Sequence, residues 1–153
     1  MVSPYVIDYA GSFVFPVPPA ELWTAIENME RFEGWWGWLS EFRLEGDGLR
    51  PGSVLRGVVS PPVPYRMTVR VELGRCEAPD LIEAAVHGDL EGRARLVLGT
   101  HPEGTRAEVA WNIEMTQRRM RVAARLTGPL LRWGHDRVVE TTVRNFRRQL
   151  TPT

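Results

Sequence analysis

Hydrophobic and polar positions repeat with two different periods along this chain. From Ser40 to Met115 the period is two. The clearest run sets Tyr65, Met67, Val69, Val71 and Leu73 against Arg66, Thr68, Arg70 and Glu72. Another sets Val109, Trp111, Ile113 and Met115 against Arg106, Glu108, Asn112 and Glu114. Strict alternation of this kind is the mark of half-buried antiparallel strands. Phe42 and Leu44 alternate with Glu41, Arg43 and Glu45 in the same way, and further strands are predicted over 53–59, 81–87 and 93–98. Turn residues divide them: Gly46-Asp47-Gly48, Pro51-Gly52, Pro61 to Pro64, Pro79-Asp80, Asp89 to Gly92 and Pro102-Glu103-Gly104.

The period changes at both ends of this region. Tyr5 to Phe15 reads as a strand, stopped by Pro16-Val17-Pro18-Pro19, where missing amide donors end a ladder. A helix is predicted next. Pro19 suits its first position, Glu21 complements the positive end of its dipole, and Leu22, Trp23 and Ile26 share a face. Met29 to Leu39, with Gly34 and Gly37 among its aromatic residues, supports at most a short helix. From 117 to 150 the apolar positions Leu131, His135, Val138, Val139, Thr142, Val143, Phe146 and Leu150 recur at helical steps, opposite Arg137, Glu140, Arg144 and Arg148. A kink or break is expected at Gly128-Pro129. Strands grouped apart from helices predict an α+β domain: a curved antiparallel sheet of about seven strands covered on one face by the long C-terminal helix.

Composition narrows the class. The 153 residues fit one domain over 1–153. Cys76 is the sole cysteine, so no intramolecular disulfide can form. No apolar run reaches the length of a membrane span and no secretory signal pattern opens the chain, which makes it a soluble, cytoplasmic protein by expectation. The net charge is zero, against nucleic-acid binding by bulk electrostatics. That zero conceals an asymmetry: residues 117–150 carry nine arginines against Asp136 and Glu140, whereas residues 1–116 carry ten arginines against 17 acids. Arg118, Arg119, Arg121 and Arg125 open the basic segment. They fit either transient contact with an anionic membrane or partner, or a solvated face that neutralises the acidic sheet segment.

Candidate chemistry is sparse. Trp35, Trp36 and Trp38 cannot all face one core from a single turn, so one or two of them are expected at a pocket mouth, as an aromatic gate over an apolar ligand. Ordinary packing is the alternative. The inward strand residues Tyr65, Met67, Val69, Trp111, Ile113 and Met115 present more apolar wall than one helix fills, and Leu131, His135 and Val139 face them. His135 directs an imidazole toward the sheet, either as an acid–base group or as a structural histidine bonded to a backbone carbonyl, with Asp136 about a quarter-turn away. His87 is expected to face out, and His101 sits in a turn. Histidine spacing fits no metal, and neither nucleophile elbows nor phosphate or dinucleotide loops occur, so no cofactor is expected.

The strand ending Phe13-Val14-Phe15, the Pro-x-Glu-x-Trp signature from Pro19 to Trp23, the Trp-rich segment Arg31 to Leu39, the run of strands and a terminal helix with Arg144-Asn145-Phe146 together resemble the START-like or SRPBCC superfamily over nearly the whole chain. The resemblance implies a helix-grip fold with two short helices after the first strand and a hydrophobic cavity under the long helix. It implies binding of a lipid-like or aromatic polyketide-like molecule there. A cyclase or dehydratase acting in that cavity is the alternative, with Tyr65 or His135 moving protons and Arg56 polarising a carbonyl, although alternation places Arg56 outside. A non-catalytic protein-interaction module is a third reading, and the oligomeric state is left open.

Overall fold

The computed structural model describes residues 6–28, 31–60 and 66–150, without the side chains of Glu33, Trp35, Ala123, Ala124, Leu126, Thr127 and Leu131. Seven strands form one antiparallel sheet: β1 (Val6–Phe15), β2 (Leu39–Glu45), β3 (Val54–Val59), β4 (Met67–Glu77), β5 (Leu81–Gly88), β6 (Leu90–His101) and β7 (Gly104–Met115). Their order is β1-β7-β6-β5-β4-β3-β2, so the chain meanders from β2 to β7 and β1 closes the far edge beside β7. Two short helices, α1 (Pro19–Glu27) and α2 (Phe32–Trp35), bridge β1 and β2, and α3 (Arg118–Leu150) ends the fold. Pro19 stands at the start of α1 with Glu21 in its first turn, and Leu22 and Trp23 are buried. Helix α2 has only four residues, as the glycines of its segment predict.

Alternation sets the strands with few exceptions. In β2 a bulge between Ser40 and Arg43, with Glu41 at φ 50°, interrupts the pattern, and Leu44 is left exposed on this edge strand. The connection expected over Asp89 to Gly92 is tighter than the sequence predicts: Leu90 already belongs to β6 and only Asp89 lies between the strands. Gly88 makes this possible at φ 110°, where a side chain would also press against the Thr68 carbonyl. The Asp89 carboxylate accepts the Thr68 N–H at 2.7 Å, fastening the connection to β4.

Helix α3 corrects a second expectation. It runs unbroken for 33 residues through Pro129, although proline leaves one intrahelical bond unmade. Packing at both ends explains the continuity. Near its start Met120 is buried in a cluster with Met67, Val69, Val86, Leu90 and Met115; near its end Phe146 is buried in a second cluster with Phe15, Leu22, Trp23, Phe32 and Leu98. The helix is thus pinned at two points over a length of about 50 Å, and the core beneath it is divided in two.

Candidate functional site

A cavity of about 500 Å³ is lined by residues of both core clusters. Strand β1 contributes Ile7, Phe13 and Phe15, helix α1 contributes Leu22 and Ile26, and the sheet wall runs from Val59 and Met67 to Leu96, Val109, Trp111, Ile113 and Met115. The roof is α3, through Met120, His135, Val138, Val139, Thr142, Val143 and Phe146. Phe32, Trp36 and Trp38 close one side. The Trp36 and Trp38 rings stack at 5.4 Å with planes 10° apart, and Trp36 also meets Phe32 at 4.5 Å.

The polar atoms of this lining are turned to one another. Trp36 Nε1 donates to the Thr142 carbonyl at 3.2 Å and Trp38 Nε1 to the Thr142 hydroxyl at 2.8 Å, while that hydroxyl donates to the Val138 carbonyl at 2.7 Å. Across the cavity Trp111 Nε1 donates to His135 Nε2 at 3.0 Å. All three lining indole N–H groups therefore end on α3. A buried indole left unpaired would cost about 1–3 kcal/mol, so these bonds both satisfy the donors and clip the tryptophans to the roof.

The bond to Trp111 fixes the histidine's chemistry. An indole N–H only donates, so Nε2 must accept and the proton of a neutral ring resides on Nδ1. Nδ1 faces the Asp136 carboxylate at 3.1 Å. Two expectations are corrected here: His135 bonds an indole in place of a backbone carbonyl, and Asp136, though a quarter-turn away on the helix, swings its carboxylate back to the ring. The reason is what the fold sets beside the ring: the Trp111 N–H meets Nε2 and the Asp136 carboxylate meets Nδ1. Tyr9 completes the cluster, stacked on Trp111 at 4.8 Å and edge-on to His135 at 5.2 Å. Burial, and then the Asp136 charge, push the Tyr9 hydroxyl above its ordinary range. Gly11 leaves room for this ring, because a Cβ there would collide with the Tyr9 hydroxyl.

No protein-family model and no curated protein matches this sequence. Solved structures do match. TTHA0849 from Thermus thermophilus superposes with a TM-score of 0.75 at 15% identity, covering 95% of this chain and 96% of that one. The di-domain ARO/CYC protein StfQ of the steffimycin biosynthetic pathway gives 0.74 at 11% identity, covering 96% of this chain and 51% of that one. The di-domain ARO/CYC protein BexL of the BE-7585A pathway gives 0.73 at 13% identity, with 98% and 52% covered, so the chain spans about half of either di-domain protein. The chain shares the SRPBCC-like helix-grip fold of these structures.

The START-like frame gathers most of the residues singled out in the sequence. Trp36, Trp38, Met67, Trp111, Ile113, Met115, His135 and Val139 all line the cavity. Val69 does not: two residues further along β4, opposite Gly57 and Gly88, it packs into the core cluster. Tyr65 lies outside the described residues, as do the side chains of Trp35 and Leu131. Arg56 is exposed on the outer face of the sheet and pairs with Glu45 at 2.8 Å, which removes it from any carbonyl in the cavity. His87 faces out between Glu72 and Glu91 as expected, and His101 ends β6, accepting the Glu103 N–H. The Glu91 carboxyl is held below its ordinary range by the Gly88 N–H and then by His87. Tyr9 is not among the expected site residues, yet it shares strand parity with Ile7 and Phe13, which line the cavity. Among the described residues no His, Cys, Asp and Glu cluster could hold a metal, and no helix is long and apolar enough to cross a membrane.

Proposed function

We propose that this chain is a single START-like domain that binds an apolar small molecule, lipid-like or aromatic and polyketide-like, between the sheet and α3. One observation carries the reading: a cavity of about 500 Å³ whose lining indoles, hydroxyl and imidazole already have hydrogen-bond partners within the protein. The volume lies in the range of small-molecule sites, roughly 300–1,000 Å³. A wall with no polar group aimed inward rewards apolar surface and penalises an unmatched polar ligand. Trp36, Trp38, Met67, Trp111, Ile113, Met115, His135 and Val139 are the binding residues, and shape sets the preference. Native mass spectrometry of the protein mixed with lipid and polyketide libraries tests this: one apolar molecule per chain is expected. Only empty protein across both libraries would reject the reading.

The Asp136–His135 pair favours a second reading, proton transfer to or from a polyketide-like substrate during cyclisation or dehydration. The ARO/CYC proteins share the fold, which by itself assigns no chemistry. In this reading Asp136 orients the ring, and Nε2 reaches the substrate once the Trp111 indole turns aside. Replacing His135 by Asn and following products separates the two: a carrier keeps its ligand with no change in product profile, whereas a cyclase loses turnover.

A further inference from the structure

We infer that the outward face of α3 docks on the surface of an anionic phospholipid bilayer. Arg118, Val122, Arg125, Pro129, Arg132 and Trp133 follow steps of three and four along the helix and so share one face, and every one of them is exposed. Arg119 and Leu130 flank it. Of the large hydrophobic side chains exposed among the described residues, Val122 at 51%, Leu130 at 46% and Trp133 at 50% belong to this helix, and only Leu44 lies elsewhere.

The charges on this face are not consumed by the fold. Neutralisation of the acidic sheet segment by the basic helix would require cross-links, and among the described residues Arg121 to Glu114, at 2.8 Å, is the one ion pair between them. Arg147 is engaged with the Val14 carbonyl and the Phe15 ring, and Arg137 with Glu140. Arg118, Arg119, Arg125 and Arg132 form no ion pair among the described residues. Arginines beside a half-exposed indole and two aliphatic side chains match a headgroup layer, where cations meet lipid phosphates and tryptophan sits at the boundary. Nucleic acid offers the apolar trio nothing comparable, and the chain as a whole is neutral. The inference stands on this surface alone and goes beyond the reading of the cavity.

Co-sedimentation of the full chain with vesicles tests it. The protein should sediment with phosphatidylcholine vesicles containing phosphatidylglycerol, stay in solution with phosphatidylcholine alone, and be released by salt. Arg125→Gln and Arg132→Gln should each weaken partition about fivefold, from the roughly 1 kcal/mol that one arginine gains near such a surface. Trp133→Ser should weaken it while leaving the salt dependence in place. All these side chains are exposed, so folding is retained, and circular dichroism checks it. Absence of sedimentation with anionic vesicles, or equal partition of the variants, overturns the inference. So does a dimer in sedimentation velocity that Trp133→Ser dissolves, which would assign the face to a second copy, or a preference for RNA over vesicles.

Discussion

Along its inner face α3 carries Met120, His135, Thr142 and Phe146, each tied to another element: Met120 to a core cluster, His135 to Trp111, Thr142 to Trp36 and Trp38, and Phe146 to Phe15. Its outer face carries Arg118, Val122, Arg125, Arg132 and Trp133, exposed and without ion pairs among the described residues. The faces differ in how each treats polar atoms. Inside, each lining N–H finds a partner and the remaining surface is apolar; outside, charge and apolar surface are left side by side. One helix thus roofs an apolar cavity on one side and carries the proposed bilayer contact on the other.

Stability measurements should divide along the same line. Phe146→Ala, which empties a buried position packed edge-to-face on Phe15 at 5.8 Å, should cost about 3–5 kcal/mol in urea unfolding. Trp133→Ala on the other face should stay within about 0.5 kcal/mol. Similar losses for the two would mean that the outer tryptophan is part of the packing. Thr142→Val keeps the shape but strips the Trp38 indole of its acceptor, with an expected loss of about 1–3 kcal/mol. A neutral result would mean that this clip adds nothing to holding the Trp segment against the roof.

The smallest effect concerns alkaline pH. The folded state raises the Tyr9 pKa, so the stability linked to this group is complete below its ordinary value of about 10 and is lost as pH rises through the higher folded value. Urea midpoints should therefore fall more steeply above about pH 10 in the wild type than in Tyr9→Phe. Parallel curves would detach Tyr9 from the buried cluster.

Much of this was legible in the sequence because burial leaves a periodic trace. Met67 to Leu73 and Val109 to Met115 alternate as half-buried strands must, and Val138, Val139, Thr142 and Phe146 repeat as an amphipathic helix must. Pairings across the fold leave no such trace. The Trp111–His135 bond joins residues 24 positions apart and the Trp38–Thr142 bond residues 104 apart, and neither follows from the pattern on its own element. Tyr9 escaped for a related reason: the sequence marks 5–15 only as a strand, and it is the register opposite Trp111 that brings Tyr9 to the histidine. Gly128-Pro129 misled in the other direction, since local propensity predicts a break where burial at Met120 and Phe146 holds the helix together.

Fluorescence titration with the uncharged apolar probe N-phenyl-1-naphthylamine reads ligand entry into the cavity under α3. One probe per chain should bind saturably, with binding abolished by Val139→Trp, which fills the cavity from α3, and unchanged by Arg125→Gln with Arg132→Gln on the outer face. Absence of saturable binding, or binding by Val139→Trp at the wild-type level, would contradict ligand binding in this cavity.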